Sequence, residues 1–208
     1  MSPNKIICCQ GLLVFFLFLI SAAWNYFSGL QIPLYWPPDP LDLVIATNFG
    51  IFLSIIFLIM LRLDSRVFKS VVNLLSDPET TGGMDELLHD LFKDFAFWQI
   101  VVLSILAGVG EEYFFRGPCQ AVLGLIPTAI LFGLVHFLNF TYFITATFAG
   151  LYLGYLMDYF DNLAIPMLAH TITDLVGLVY LVYFFEEKND YEEIEDLEEI
   201  PLQLEDEL

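Results

Sequence analysis

Two adjacent glutamates and an arginine interrupt a sequence that is otherwise almost free of charge. Glu111 and Glu112 precede Arg116, and no Asp, Glu, Lys or Arg occurs in residues 95–110 or 117–157. An ionisable side chain at the centre of a bilayer costs roughly 2.5–3.5 kcal/mol on insertion scales, so it is retained mainly inside a protein or beside a watery cavity. These three residues are therefore the first candidates for a functional site.

Three further ionisable side chains lie in the apolar stretches that follow this motif, and two of them have helical spacing. His170 and Asp174 are four residues apart, which places them on one face of a helix, and His136 stands alone. If the chain turns near Gly124 and again near Asn162, the rise of ~1.5 Å per residue puts Glu111 and both histidines ~12–20 Å from the same membrane face. Three helices can thus present one carboxylate and two imidazoles at similar depth.

A glutamate with two histidines supports two chemistries. Glu111 can act as a general base on a water molecule, while one histidine orients the water and the other stabilises an oxyanion. Alternatively, Glu111, His136 and His170 can bind Zn²⁺ and leave one position open for water. The His-Glu-x-x-His pattern of many zinc proteases is absent. Asp174 fits either scheme, as a partner that fixes the tautomer of His170 or as a polar contact to a substrate carbonyl.

A purely structural use of these polar groups is the alternative. Glu112 and Arg116 are one helical turn apart and can form an ion pair that only holds the helices together. Because two adjacent carboxylates exceed the one arginine, however, the motif leaves a spare acid.

The elements that must position these groups are membrane-spanning helices. The chain has 208 residues, of which 58% are hydrophobic and only 16% are charged, whereas soluble domains have roughly a quarter of their residues charged. The composition predicts an all-α, polytopic transmembrane helix bundle with about six spans plus interfacial amphipathic helices. The expected spans are residues 6–30, 43–61, 95–110 running into the glutamate motif, 125–140, 142–159 and 163–185.

The segments between the spans have their own signatures. Residues 31–40 contain four prolines beside a Tyr-Trp pair, which predicts an interfacial loop with aromatic anchors. Residues 65–94 predict two short amphipathic helices at the interface, with His89 as a solvated surface residue. A signal peptide with a cleavage site at residues 21–23 is the alternative for the first stretch.

The chain divides into three regions. Residues 1–94 hold two N-terminal spans and the amphipathic loop, residues 95–185 hold the candidate catalytic helices, and residues 186–208 form an acidic tail expected to be disordered. The net charge is −19, and 12 of the 26 acidic residues lie in this tail. Such an acidic balance argues against a nucleic-acid partner.

Basic residues suggest an orientation in the membrane. Lys5, Arg62, Arg66 and Lys69 place the N-terminus and the 62–94 loop on the cytoplasmic side. By the count of spans, the site would then open toward the opposite face. We expect a multi-pass integral membrane protein, in the inner (plasma) membrane of a prokaryote.

At these residues the chain resembles the CPBP family, the CAAX proteases and bacteriocin-processing enzymes also called Abi, and it is similar to type II CAAX prenyl endopeptidases. The family pattern is E-E-x-x-x-R, then F-x-x-x-H, then H-x-x-x-N or a close variant. Here it reads from Glu111 to Arg116, from Phe132 to His136 and from His170 to Asp174. The match covers roughly residues 95–185.

The resemblance implies a role for each residue. Glu111 would activate water with His136, while His170 and Asp174 would stabilise the oxyanion. Glu112, Arg116 and Phe132 would order the site. Asp174 stands where asparagine is commoner, and an ionised aspartate is a poor donor, so it would act protonated or by fixing His170.

The implied function is an intramembrane endopeptidase that hydrolyses a peptide bond of a membrane-associated protein or peptide, with prenylated CAAX-type tails as one substrate class. A catalytically inactive membrane scaffold or bacteriocin-immunity protein on the same fold is the alternative. CAAX processing needs a cytosolic opening, which disagrees with the orientation given by the span count. The expected mechanism is metal-free, with zinc on Glu111, His136 and His170 as the alternative.

Overall fold

The structure, a computed structural model, describes residues 2–63, 84–138 and 140–185. Within these ranges the chain is helical and contains no strand. One π-helical segment, Phe115–Cys119, follows the fourth helix. The α-helices are α1 (Pro3–Ser28), α2 (Pro40–Leu63), α3 (Met84–Phe92), α4 (Phe97–Phe114), α5 (Gln120–Leu123), α6 (Leu125–Val135), α7 (Phe140–Phe160) and α8 (Ala164–Tyr183).

Five helical stretches in the described part of the chain are long and apolar enough to cross a membrane. They are α1, α2, residues 97–123, α7 and α8. The polytopic helix bundle expected from composition is therefore confirmed, and the protein is an integral membrane protein. The span expected at 125–140 differs, because α6 has only 11 residues. A helix of that length is ~16 Å long and reaches about halfway through the hydrocarbon core.

The early end of α6 has a local cause at His136. The imidazole Nδ1 donates to the carbonyl oxygen of Phe132 at 2.8 Å, and the backbone N–H of His136 bonds the carbonyl of Gly133 instead, at 3.2 Å. This i→i+3 bond tightens the last turn of α6 and ends it. His136 is thereby the C-terminal cap of α6 instead of part of a longer span.

Helix α8 is the centre of the bundle. It packs against α2 and α4 on two sides and also contacts α7 and α3, while α1 packs on α4 and α6 packs on α7. At the end of the bundle away from the N-terminus, Asn162 Oδ1 accepts hydrogen bonds from the backbone N–H groups of Tyr35 (3.0 Å) and Ala164 (3.1 Å). Tyr35 and Trp36 are exposed there, as expected for an interfacial loop.

Glycines allow the closest helix contacts. A Cβ atom at Gly108 of α4 would lie 2.7 Å from the backbone nitrogen of Thr171 and 2.9 Å from the carbonyl oxygen of Met167, both on α8. Gly150 of α7 similarly faces the Cα atom of Ala129 on α6, at 3.1 Å from a Cβ placed there. Small residues at helix crossings let backbones approach in this way.

Helix α3 packs against the end of α8, and this corrects one expectation. His89 Nδ1 lies 2.7 Å from the carbonyl oxygen of Leu181, and its ring centroid lies 4.9 Å from that of Phe185. His89 therefore anchors α3 to α8, so its interpretation as a solvated surface residue was wrong. The first predicted amphipathic helix, the basic residues 66 and 69 and the acidic tail lie outside the described residues.

We predict that Gly108→Ala separates α4 from α8, because the new methyl group meets backbone atoms that cannot rotate away. Overpacking of this kind costs about 1–3 kcal/mol. Thermal unfolding of the purified protein in detergent should therefore show a lower melting temperature.

Gly11→Ala is the matched control for this substitution. Gly11 lies in α1 with no atom within 4 Å of a Cβ placed there, so alanine should leave the melting temperature unchanged or raise it. Equal melting temperatures for Gly108→Ala and wild type would contradict the close α4–α8 contact.

Candidate active site

Glu112 is fully buried, and both of its carboxylate oxygens are occupied. Oε2 forms an ion pair with Arg116 Nε at 2.9 Å, one helical turn along the chain. Oε1 accepts from His170 Nδ1 of α8 at 2.8 Å. A buried charge is tolerated only with partners of this kind, so Glu112 serves as a joint between α4 and α8.

The ring of Phe132 contacts Arg116, His136 and His170. The Cζ atom of Arg116 lies 5.2 Å from the centre of the Phe132 ring, within cation–π range. The same ring stacks against His136 at 4.4 Å and meets His170 edge-on at 5.9 Å. The side chain therefore fixes the mutual positions of Arg116 and both histidines, in line with the ordering role expected for it.

Glu111 has a different environment from its neighbour. Its Oε2 lies 3.4 Å from His136 Nε2, and its Oε1 accepts from Gln10 Nε2 of α1 at 3.3 Å. The carbonyl of Phe132 can only accept, so Nδ1 of a neutral His136 carries the ring proton and Nε2 presents a lone pair toward Glu111. The 3.4 Å separation exceeds an ordinary N–H···O bond of 2.7–3.2 Å.

His170 lies between two carboxylates. Its Nδ1 contacts Glu112 at 2.8 Å, and its Nε2 lies 3.5 Å from Asp174 Oδ2. The sequence suggested Asp174 as the partner that fixes His170, whereas the shorter contact is to Glu112. Asp174 is the more exposed acid, with 30% of its side chain accessible beside the cavity described below.

These groups surround one cavity of about 260 Å³. Glu111, His136, His170 and Asp174 all line it, while Glu112 and Arg116 lie behind its wall. The other polar side chains on the wall are Gln10, Tyr142, Thr145 and Thr173, and the remaining lining residues are apolar. The structure thus brings together the four residues that the sequence singled out as catalytic.

The lining of the cavity reaches toward one membrane face. Its apolar wall includes Ile6 near the start of α1, Leu88 and Phe92 on α3, and Leu181 near the end of α8. These residues mark the membrane face on which the N-terminus lies. The cavity therefore extends toward the N-terminal side, whereas the span count put the opening on the opposite face.

The backbone just beyond the glutamates is irregular. Pro118 has no N–H to donate to the carbonyl of Phe114, and Gly117 takes the non-helical angles φ −74° and ψ −110°. The π-helical turn Phe115–Cys119 results, and Arg116 lies within it. Such bulges recur at functional sites, because they redirect side chains without ending a helix.

Sequence reasoning missed Gln10, Tyr142 and Thr145 on the cavity wall. Gln10 is one of two amides in the first apolar stretch, with Asn25, and matches no spacing pattern. The available signal was its polarity alone, since an amide in a membrane span needs a partner. Tyr142 and Thr145 are common residues in such helices and gave no signal.

Among the residues that the structure describes, no three His, Cys, Asp or Glu side chains come close enough together to hold a metal ion. Both ring nitrogens of His170 also face carboxylates. Zinc binding by Glu111, His136 and His170 would thus require these side chains to rearrange.

Comparisons with known proteins match the part of the chain that holds these residues. A model of the family "Type II CAAX prenyl endopeptidase Rce1-like" matches residues 93–176, a range that contains all four cavity-lining candidates. The chain is also similar to the uncharacterized protein YpbD of Bacillus subtilis (strain 168), with 31% identity over 124 residues. That match covers 58% of this chain and 62% of YpbD, so less than two thirds of the relative's length is matched. No solved structure matches the chain.

We predict that the same isosteric change, Glu to Gln, destabilises the protein at position 112 but not at position 111. Glu112→Gln leaves Arg116 buried without a countercharge and should cost about 3–5 kcal/mol of stability. Glu111→Gln keeps the hydrogen-bonding shape beside a cavity and should leave the melting temperature close to wild type. Thermal unfolding of both variants in one detergent measures the difference, and a reversed order would exchange the structural roles of the two acids.

Proposed function

We propose that this protein, whose residues 93–176 match the model of the type II CAAX prenyl endopeptidase Rce1-like family, is an intramembrane endopeptidase. Its substrate is a peptide bond in a membrane-associated protein or peptide, and Glu111, His136, His170 and Asp174 carry the reaction. The protein acts within the inner membrane of a prokaryote.

One observation carries this proposal. Glu111 Oε2 and His136 Nε2 lie 3.4 Å apart, and both residues line the cavity. In the described part of the chain, Glu111 Oε2 is buried and has no hydrogen-bond partner, so it has room for one more donor. A water molecule in the cavity can donate one hydrogen bond to the carboxylate and the other to the imidazole, because both atoms are acceptors. A general base must lie within about 2.6–3.2 Å of the group that it deprotonates, and this arrangement permits that distance.

The chemical steps follow from these positions. Glu111 takes a proton from the water, the water oxygen bonds to the carbonyl carbon, and the C=O electron pair moves onto the carbonyl oxygen. When the tetrahedral intermediate collapses, the C=O bond reforms, the C–N bond breaks and Glu111 returns the proton to the leaving amine. His136 orients the water through its Nε2 lone pair, since Nδ1 is engaged with Phe132.

His170 and Asp174 supply the opposite side of the cavity. Glu112 fixes His170 through Nδ1, which turns Nε2 toward Asp174 and the cavity. Because Nδ1 donates to Glu112, His170 has an Nε2–H to donate to the developing oxyanion only when the ring is doubly protonated. Fixed donors of this kind are worth about 10²–10³ in rate. Asp174 acts by holding Nε2 of His170 or, when protonated, by donating itself.

The substrate class follows from the wall of the cavity. Most of the residues that line it are apolar, and those on α1, on α3 and near the end of α8 lie toward the N-terminal membrane face. The cavity therefore suits an apolar or lipid-modified chain that enters from the face assigned to the cytoplasm, which removes the conflict with CAAX-type processing. Prenylated C-terminal tails are one such substrate class. Besides the substrate, the protein contacts the lipid bilayer.

We predict that Glu111→Gln lowers kcat for a membrane-tethered peptide by about 10²–10⁴, because the general base is lost. Purified protein in lipid vesicles, with product measured by mass spectrometry, provides the assay. Asp158→Asn is the matched control, since Asp158 bonds Gln120 away from the cavity, and it should retain wild-type kcat.

Two outcomes of this assay would contradict the proposal. Full activity of Glu111→Gln would remove Glu111 as the base. Absence of cleavage by wild-type protein across prenylated and unmodified tethered peptides would favour the inactive scaffold or bacteriocin-immunity protein.

We also predict that cleavage survives exhaustive chelation. In this mechanism Glu111 and His136 bind water directly and His170 is occupied by carboxylates. The measurement is kcat before and after dialysis against chelator, with zinc content determined on the same samples. About one equivalent of zinc, with activity lost on chelation and restored by zinc, would establish the metal-dependent alternative.

A further inference from the structure

Helix α1 contributes a side chain to the site although it lies outside the family match at residues 93–176. Gln10 lines the cavity and donates from Nε2 to Glu111 Oε1 at 3.3 Å. The two residues are 101 positions apart in sequence. The bond therefore joins the proposed general base to a helix that the family match does not include.

Contacts along α1 hold Gln10 in place. Toward the N-terminal face, Gln99 Nε2 of α4 donates to Asn4 Oδ1 at 2.7 Å. Toward the other face, Val14 is buried against Gly110, where a Cβ would lie 2.5 Å from Val14 Cγ2. The two helices therefore touch on both sides of Gln10, so its amide is presented to Glu111 by a fixed backbone.

The bond distinguishes the two oxygens of the Glu111 carboxylate. Oε1 receives the amide proton of Gln10, and Oε2 faces His136 Nε2. Among the described residues, the contacts of Glu111 that fix its carboxylate come from these two side chains. Without the amide, the carboxylate can rotate about its terminal torsion, and Oε2 then leaves the position from which it shares a water with His136.

We propose that Gln10 is a positioning residue that aims the Glu111 carboxylate at the water shared with His136. This inference rests on the proposed function. A hydrogen bond to a charged group contributes enough to predict a fall in kcat of about ten-fold or more when the donor is lost.

Two substitutions at Gln10 test this role. Gln10→Leu removes the donor and keeps similar bulk, and Gln10→Glu keeps the shape but replaces the donor with an acceptor facing a carboxylate. Both should lower kcat about ten-fold or more while KM stays within about two-fold, with the larger loss in Gln10→Glu. Cys9→Ala, at the exposed neighbouring position on α1, should match wild type.

The readout separates positioning from packing. If Gln10 only fills space between α1 and α4, the isosteric Gln10→Glu retains wild-type kcat, and that result overturns the proposal. If either variant has a lowered melting temperature, Gln10→Asn decides the question, because it keeps the amide but is one methylene too short to reach Oε1. Its kcat should fall by a similar factor, and wild-type kcat in Gln10→Asn also overturns the proposal.

Parallel assays of wild type and Glu111→Gln separate this inference from the proposed function. Cleavage that depends on Glu111 but not on Gln10 overturns the inference alone. Cleavage that does not depend on Glu111, or no cleavage by wild type, overturns both.

Discussion

The buried carboxylate of Glu112 is the constraint on which the rest of the site depends. An isolated charge at this depth is costly, so it requires partners for both oxygens, and Arg116 and His170 supply them. This fixes α4 against α8 and orients His170. It also leaves Glu111, the preceding residue in the chain, as the acid that lines the cavity. Two adjacent glutamates thus acquire different environments, one as a structural joint and the other as a candidate base.

The helices are arranged to satisfy this constraint. Gly108 lets α4 approach α8 closely enough for the bond between Glu112 and His170 to form. Helix α6 ends in mid-membrane because the His136 imidazole takes the carbonyl of Phe132, which brings His136 within 3.4 Å of Glu111.

Much of the fold and of the residue set could be predicted from sequence, because both follow from the cost of burying polar groups in lipid. Long apolar stretches identified the five helical stretches that can span the membrane, and the few ionisable groups within them identified Glu111, His136, His170 and Asp174. Contacts between distant parts of the chain could not be predicted in this way. The length of α6, the direction of the cavity and the docking of His89 depend on particular side chain to backbone bonds, which leave no periodic pattern. The catalytic roles of the four residues stay predictions.

The most direct test of the account is a double-mutant cycle on kcat for Glu111→Gln and His136→Asn. If both side chains act on one water, removing either abolishes the same function, and the double variant should be no slower than the slower single variant. Measured in lipid vesicles on one tethered peptide, losses that multiply in the double variant would contradict the account, because they would show that the two residues act independently.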